Sequence, residues 1–278
     1  YLFFYTGRQT IGFAIPGIQE EFNVSKEMLG WVSAIMLWCY AIGQMINGNL
    51  GDKYGGRRVM SAGAILSCLT NWAVSFTTSV VSLGALWGLN GYFQAMGWAP
   101  GSRVLSNWFG KNERGKVFGC YVFAAGMASV LSFVTSILVV HIWDLDWRWI
   151  FRIPVILMLV GGVTFYLVAR DRPEDLGFPS PHEDAEEDKA EAAIIDQESS
   201  KDRYKAVLAN WRIWMGGLAI GFQNAARYGL LVWVPVHFLG GDGAASGASS
   251  SAIAPEWTTI ALPVGMAVGA ATNGIISD

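Results

Sequence analysis

The sequence Ala169-Arg-Asp-Arg-Pro-Glu-Asp-Leu-Gly-Phe-Pro-Ser-Pro181 opens a polar segment that divides the apolar part of the chain. A mostly acidic tract over residues 183–198 and a short basic stretch follow it. No apolar run in this segment is long enough to cross a bilayer, and its content of proline and charge is typical of a solvated linker. We therefore expect two apolar blocks joined by a linker over residues 169–211.

The composition on both sides of the linker indicates an integral membrane protein. Hydrophobic residues make up 53% of the chain and charged residues only 15%, and the charges lie between long apolar stretches. About 20 uncharged residues are enough to cross a hydrocarbon core as a helix. The predicted fold class is therefore an all-α polytopic membrane protein. The eight predicted spans cover residues 1–20, 28–50, 59–78, 80–106, 116–140, 149–168, 212–239 and 256–276.

The spans and the linker define three parts of the chain. Residues 1–168 are predicted to form a six-helix transmembrane half, and residues 212–278 the start of a second half. The chain begins at Tyr1 inside one apolar segment and stops at Asp278 directly after another. We expect it to be a fragment of a longer polypeptide that does not transport on its own.

The positive charges predict the orientation. The loops at 51–58 and 107–116, together with the linker, carry twelve Lys and Arg residues, whereas the alternate loops carry two, Lys26 and Arg148. Because Lys and Arg are enriched in cytoplasmic loops, the first set is predicted to be cytoplasmic. The linker at 169–211 is then cytoplasmic, in a multi-pass protein of the cell (inner or plasma) membrane.

An internal repeat relates the two apolar blocks. Pro16 lies eight residues after Arg8 in the first span, and Pro235 lies eight residues after Arg227 in the seventh. The pattern Gly-x-x-x-Asp then follows the second span, ending at Asp52, and recurs after the eighth. Two anchors in the same order indicate two related halves, which is the plan of many secondary transporters with a substrate site between the halves.

Two arginines inside predicted spans are candidate binding residues. A charge at bilayer depth costs ~2.5–3.5 kcal/mol, and a guanidinium is a planar, permanently charged partner for phosphate or carboxylate. Each arginine could instead snorkel or pair with an acid, although neither of their spans holds an acid deeper than Glu20. Nearby aromatic residues could either contact the substrate or serve as ordinary packing: Tyr1, Tyr5, Tyr40, Tyr228 and Trp233.

Other function classes find little support. The three histidines lie near span ends or in the linker, and the three cysteines lie singly within apolar spans. No nucleophile–base or metal-ligand spacing occurs, so we expect neither an enzyme nor a metal or cofactor. No nucleic-acid-binding signature is present. The expected partners are the lipid bilayer and a small anion, and the expected assembly is a monomer.

Three motifs resemble a known family. Gly48-Asn-Leu-Gly-Asp-Lys-Tyr-Gly-Gly-Arg-Arg58 resembles the loop between spans two and three of the major facilitator superfamily. The stretch from Gly91 to Gly115 and the sequence Arg170-Asp-Arg-Pro-Glu-Asp-Leu-Gly177 resemble its organophosphate:phosphate antiporter branch. The resemblance covers essentially the whole chain. It implies a helical bundle with a complete six-helix first half and the first two helices of the second.

The resemblance also implies a site. Arg8 and Arg227 match two phosphate-binding arginines of the branch, and Tyr1, Tyr5 and Tyr40 match tyrosines that line the pore. The auxiliary cations of glycerol-3-phosphate transporters are missing, because Gln9 and Gln44 stand where those proteins have lysines. Ala125 likewise aligns with a histidine and Asn224 with a tyrosine. An anionic substrate is therefore expected, while glycerol-3-phosphate itself is doubtful.

Charged residues at the predicted cytoplasmic end are candidate gating groups. Asp52 is expected to pair with Arg57 and Arg58, and Lys111 and Glu113 to interact with Arg114. These pairs would hold the outward-open state, or they would only set topology and solvate loops. Arg103 at the end of the fourth span either joins these pairs or snorkels.

The leading hypothesis is a secondary active transporter that moves a small organophosphate by alternating access, in exchange for inorganic phosphate. One alternative is a membrane sensor that binds a sugar phosphate with little flux. Another is a facilitator for a different organic anion, which would keep the arginines and change the rest of the pocket.

Overall fold

The computed structural model describes residues 1–110, 113–181, 200–239, 257 and 259–277. All regular structure within these residues is helical. The α-helices are α1 (Ile11–Phe22), α2 (Lys26–Tyr54), α3 (Gly56–Val74), α4 (Val80–Gln94), α5 (Trp98–Trp108), α6 (Arg114–Ile137), α7 (Pro154–Val168), α8 (Ser200–Ala209), α9 (Trp211–Leu239) and α10 (Ala261–Ser277). Single turns of other helix types cover Phe4–Gly7, Leu138–Ile142, Trp147–Phe151 and Pro173–Leu176.

Three described helical segments are long and apolar enough to cross a membrane: Lys26–Tyr54, Gly115–Ile142 and Trp147–Val168. Two other predicted spans are interrupted. The first consists of the 3₁₀ turn Phe4–Gly7 and then α1, which begins only at Ile11. The fourth is divided into α4 and α5 by a turn at residues 95–97.

The interruption of the fourth span follows from its local sequence. Pro100 has no N–H to donate within a continuous helix, but it fits the first turn of a new one, and α5 begins two residues before it. Gly97 lies at the turn against the ring of Phe4, where an added Cβ would approach the Cε1 atom to 2.8 Å. The turn therefore lets the start of the chain pack closely against the fourth span.

The first half is held together by close helix approaches. Helix α2 packs along α4, and α3 packs against α4 and α7. A Cβ atom on Gly43 of α2 would lie 2.8 Å from that of Ala95, and one on Gly91 of α4 would overlap the carbonyl of Met36. Small residues at such contacts let backbones approach, which is how helices associate in lipid.

The two predicted halves, residues 1–168 and the part of the chain after the linker, meet along two helix pairs, α1 with α9 and α6 with α10. An added Cβ on Gly12 would lie 2.9 Å from the carbonyl oxygen of Val232, and one on Gly126 would lie 2.7 Å from the Cα of Ala267. Leu231 of α9 is also fully buried within the main apolar cluster of the first half. The halves therefore pack directly against each other through small side chains.

Three polar contacts join the loops at one end of the bundle. Arg103 forms an ion pair with Asp52. Asp171 accepts the other two hydrogen bonds, one through its carboxylate from the backbone N–H of Arg57 at 2.7 Å, and one through its carbonyl from the side-chain amide of Asn107 at 3.0 Å. These are the loops with many positive charges, and they lie together as the predicted alternation requires. Which side of the membrane they face remains a prediction.

The loops with few positive charges meet at the other end. Arg148 forms a two-pronged ion pair with Glu21 at the end of α1, with a distance of 2.6 Å between Nη2 and Oε1. The indole N–H of Trp147 donates to the same carboxylate at 2.9 Å, and Arg148 also donates to the carbonyl of Thr77 at 3.2 Å. The hydrogen bonds from Arg148, aided by that from Trp147, lower the pKa of Glu21.

The linker is only partly described. Its first residues, 169–171, are half-buried and tied to the first half, since the carbonyl of Arg170 accepts a hydrogen bond from the Trp108 indole at 2.8 Å. Its last part contains α8, whose Tyr204 hydroxyl donates to the carbonyl of Met45 at 2.6 Å. The acidic tract at 183–198 and the stretch between the seventh and eighth predicted spans lie outside the described residues.

Candidate functional site

A cavity of about 900 Å³ lies between the two halves, bounded by the first span, α2 and α9. Its wall is mostly apolar and aromatic, with a few polar groups facing inward. A binding site for a small molecule has this character. The polar and aromatic residues that line it include Tyr1, Tyr5, Arg8, Ser33, Tyr40, Gln44, Trp98, Asn224, Arg227, Tyr228 and Trp233.

Arg8 reaches the cavity from the gap between the 3₁₀ turn and α1. The residue is only 6% exposed. Its guanidinium carbon lies 3.9 Å from the centre of the Tyr5 ring and 5.0 Å from that of Tyr40, and Nη2 donates to the Tyr1 hydroxyl at 3.4 Å. The three tyrosines named from the sequence thus surround the first arginine through ring faces and a hydroxyl group.

Arg227 approaches from α9 in the second half. Its Nη2 atom donates to the Tyr5 hydroxyl at 3.3 Å, and its guanidinium carbon lies 5.7 Å from the centre of the Tyr228 ring. Tyr5 therefore contacts both arginines, one through its ring and one through its hydroxyl. The structure brings all five predicted substrate-binding residues to one cavity.

Within the described part of the chain, no carboxylate balances the positive charge of this pair. Among the described residues, no carboxylate forms an ion pair with Arg8 or Arg227. The Nε atoms of both arginines are buried and have no hydrogen-bond partner. Because buried charges are stable only when they are paired, two adjacent guanidiniums without a carboxylate favour an anionic ligand. The alternative in which each arginine pairs with an acid is wrong for the described residues.

The remaining polar groups of the site are neutral. Gln9 is 4% exposed, and neither atom of its amide has a hydrogen-bond partner. It lines a small extension of the cavity together with Arg8 and Ser33. Gln44 and Asn224 line the main cavity. The cavity thus presents two guanidiniums, together with amides that can exchange hydrogen bonds with hydroxyl groups.

Two aromatic residues at the site were not selected by the sequence analysis: Trp98, which lines the cavity, and Tyr121, which packs against the lining residues. Tyr121 of α6 lies between Tyr1 and Trp98, with ring centres 4.9 Å and 4.8 Å away. Ala125, one turn further along α6, is buried against Tyr5. The sequence carries a weak signal for Trp98, which follows the turn at Gly97. Tyr121 is distant in sequence from every other residue of the site, so no local pattern marks it.

The candidate gating residues at the end with many positive charges are not paired as the sequence predicted. The partner of Asp52 is Arg103, and Arg57 instead donates from Nε to the carbonyl of Tyr166 at 2.6 Å. The predicted pairing of Asp52 with Arg57 and Arg58 is therefore wrong in this conformation. The reason is geometric: Arg57 lies beside the end of α7, where its N–H bonds the Asp171 carboxylate and its Nε bonds the Tyr166 carbonyl.

Arg58 lines a polar cavity of about 420 Å³ together with Asp52, Arg57 and Arg103. Lys111 and the side chain of Arg114 lie outside the described part of the chain. The gating role of this group remains a proposal.

Comparison with known families matches residues 1–278 to the Major Facilitator Superfamily. The chain belongs to the Major Facilitator Superfamily. This membership, together with the helical structure, confirms the predicted fold class of an all-α, multi-pass membrane protein. It also agrees with the expectation that the protein is not an enzyme.

The relatives within the superfamily carry names from one substrate class. The chain is 27% identical over 252 residues to a probable hexose phosphate transport protein of Chlamydia muridarum, a match that covers 86% of this chain and 55% of the relative. It is 29% identical over 250 residues to the glycerol-3-phosphate transporter of Bacillus subtilis, covering 85% and 54%. A match to mouse sugar phosphate exchanger 3 has 29% identity over 186 residues and covers 64% and 37%.

These names confirm the predicted resemblance to organophosphate transporters of the superfamily. The chain spans about half the length of these curated relatives. What the whole protein carries, and in exchange for what, is therefore argued below from the site.

Proposed function

We propose that the full-length protein moves a small organophosphate, of the sugar phosphate or glycerol phosphate type, across the membrane in exchange for inorganic phosphate. The observation that carries this proposal is the pair of arginines on Tyr5, one from each half, with no carboxylate to balance them in the described residues. The names of the relatives support the same substrate class.

A phosphate group fits this pair by charge and geometry. A phosphate monoester carries about −1.5 to −2 charge near neutral pH, enough to balance two guanidiniums. The fork of donors on each arginine can form two parallel hydrogen bonds to phosphate oxygens. The unpaired Nε atoms of Arg8 and Arg227 are donors available for such bonds. Inorganic phosphate presents the same oxygens, so it competes for the same place.

The position of the arginines in different halves accounts for exchange. A bound phosphate would bridge Arg8 and Arg227 and draw the halves together across the α1–α9 contact. The loaded carrier would then reorient easily, because the two like charges are neutralised. The empty carrier retains two unpaired guanidiniums at bilayer depth, which raises the cost of closing around them. A carrier that reorients when it is loaded but not when it is empty must bring one anion in for each anion that it carries out. Such a carrier catalyses exchange.

The test is uptake of labelled inorganic phosphate by the full-length protein in proteoliposomes that are preloaded with phosphate. We expect exchange in the parent and a loss of at least about tenfold in the Arg227→Lys variant, because an ammonium cannot form the paired hydrogen bonds of a guanidinium. The matched control is Arg152→Lys. Arg152 bonds the Ser75 hydroxyl at 2.8 Å and does not line the cavity.

The other readings give different results in the same assay. Exchange that is unchanged in Arg227→Lys would refute the two-arginine site. A parent that binds phosphate but shows no flux would favour the sensor. A parent that exchanges carboxylates but not phosphate or its esters would favour the facilitator for another anion.

A further inference from the structure

Arg8 enters the cavity from a break in the first span. The 3₁₀ turn ends at Gly7 and α1 begins at Ile11, so the arginine lies in the gap between two helical pieces. Unwound backbone inside a membrane is stable only where its polar groups find partners in the protein. The groups that satisfy this break therefore also determine where the arginine stands.

Two buried asparagines bind the carbonyl at the break. The side-chain amide of Asn90 in α4 donates to the Gly7 carbonyl at 2.7 Å, and that of Asn71 in α3 donates to the same oxygen at 3.2 Å. Both asparagines are completely buried. Neither lines the cavity. They contact the residue before the arginine without reaching the place where an anion would bind.

The asparagines are themselves fixed by a small polar network. The Oδ1 atom of Asn90 accepts hydrogen bonds from the Ser67 hydroxyl at 2.6 Å and from the Asn71 amide at 3.0 Å. The amide of Gln94 donates to Ser67 at 2.8 Å. A Cβ added to Gly7 would lie 2.7 Å from the Gln94 amide nitrogen, so the backbone is held tightly against the network.

We infer that Asn90 and Asn71 are positioning residues for phosphate binding, which act by holding the first span open at Gly7 so that Arg8 faces Tyr5 and Arg227. The inference rests on the proposed function of this cavity. If both asparagine amides were removed, the buried Gly7 carbonyl would lose these two hydrogen-bond donors. The first span would then shift until this carbonyl reached other donors. Because Arg8 is the next residue after Gly7, this shift would move its guanidinium away from the ring of Tyr5.

The competing explanation is that the network only ties α3, α4 and the first span together, as polar side chains often do in membranes. The two explanations predict different kinetics. A positioning role changes the affinity for phosphate, and therefore KM, at nearly constant turnover of the folded protein. A tie between helices changes the amount of folded protein and leaves KM unchanged.

The experiment measures phosphate–phosphate exchange by the full-length protein, reconstituted as Asn90→Leu and as Asn71→Leu. The control is Asn47→Leu. Asn47 is equally buried and donates to a backbone carbonyl, that of Tyr92, at 3.1 Å, and it joins α2 to α4 without touching the first span. Thermal unfolding in detergent gives the folded fraction of each variant.

We expect KM for inorganic phosphate to rise about tenfold in Asn90→Leu and less in Asn71→Leu, whose hydrogen bond is longer. The maximal rate per folded protein should stay within about twofold, and the Asn47→Leu control should keep the KM of the parent. An unchanged KM in both variants would overturn the inference. So would loss of folded protein from both while the control folds, because that result indicates a purely structural tie.

These outcomes are separate from the test of the function itself. If the parent protein shows no phosphate exchange, the proposed function fails before the variants are compared. If the parent exchanges phosphate and the variants match its KM, only the positioning role fails.

Discussion

Arg8 and Arg227, from different halves of the molecule, contact the same side chain. The ring of Tyr5 lies 3.9 Å from the guanidinium carbon of Arg8, and its hydroxyl accepts a hydrogen bond from Arg227 at 3.3 Å. Tyr5 belongs to the predicted first half, so it links an arginine of its own half with one of the predicted second half. The site is therefore divided across the interface that alternating access would open and close.

This relationship predicts the effect of removing only the hydroxyl group. In Tyr5→Phe the ring under Arg8 remains, while Arg227 loses its hydrogen-bond acceptor. Because Arg227 would then be less well ordered for phosphate, we expect KM for phosphate to rise about threefold to tenfold, which corresponds to the net contribution of one ordinary hydrogen bond, about 0.5–1.5 kcal/mol. The measurement is concentration-dependent exchange in proteoliposomes.

The control for that change is Tyr166→Phe at the end of α7. Tyr166 contacts Arg57 through its ring and its backbone carbonyl, and neither depends on the hydroxyl group. We expect the KM of this control to equal that of the parent. A Tyr5→Phe protein with the same KM as Tyr166→Phe would show that the hydroxyl group does not order Arg227.

The neutral amide beside Arg8 predicts a change in anion selectivity. Gln9→Lys would add a third positive charge to the cavity extension that Gln9 lines with Arg8. We expect the KM for inorganic phosphate to fall about threefold, since the added charge attracts a dianion, and its dependence on salt to become steeper. Competition by phosphate and by a monocarboxylate against labelled phosphate measures this selectivity.

Gln19→Lys is the matched control, because Gln19 lies in the far part of α1 and does not line the cavity. An equal change in both variants would indicate a general effect of charge on the protein. A phosphate KM that rises in Gln9→Lys would contradict the prediction and indicate that the amide itself binds the substrate.

The ion pair between Asp52 and Arg103 predicts coupling in the transport rate. Both side chains are about 40% exposed, so the pair contributes at most ~1 kcal/mol to stability. If the pair acts in gating, Asp52→Asn and Arg103→Gln should each lower the maximal exchange rate, and the double variant should be no slower than either alone. Rates and melting temperatures of the three variants test this.

The control for the charge pair is Asp175→Asn. Asp175 lines the same polar cavity as Asp52 and Arg103, but its carboxylate accepts a hydrogen bond from the backbone N–H of Arg172. We expect it to retain the rate of the parent. Additive losses in the double variant would show that Asp52 and Arg103 do not act as a pair.

The cluster at the opposite end predicts a pH dependence of stability. The hydrogen bonds from Arg148, together with that from Trp147, hold the pKa of Glu21 below its ordinary value. Folding therefore favours the ionised form of Glu21. Its contribution to the free energy of unfolding is fully present above the carboxyl pKa of the unfolded chain, and it is lost as the pH falls through the lowered pKa of the folded protein. Glu21 is 40% exposed, so the contribution is at most ~1 kcal/mol.

We accordingly expect Glu21→Gln to lower the melting temperature slightly at pH 7 and to match the parent in acid, where the carboxylate is protonated. Glu20→Gln, which changes the exposed neighbour, should follow the parent at every pH. A constant difference between Glu21→Gln and the parent from pH 7 into the acid range would refute an electrostatic origin.

The sequence by itself predicted the all-α membrane class, which is confirmed, and it proposed eight spans and the two arginines of the candidate site. These features depend on local properties. A bilayer requires about 20 apolar residues per span, and a charge within such a stretch is costly enough to stand out. The repeat of Arg8 and Pro16 in Arg227 and Pro235 then indicated that the arginines occupy equivalent places in two halves.

The tertiary structure alone decided which side chains meet. Asp52 pairs with Arg103 and not with the nearby Arg57, because α3 packs against α7 and Arg57 bonds Tyr166 and Asp171 there. The carbonyl of Gly7 is bound by Asn90, 83 residues away, where α4 passes the break in the first span. Contacts of this kind depend on the packing of whole helices, and no local pattern of hydropathy or charge encodes them.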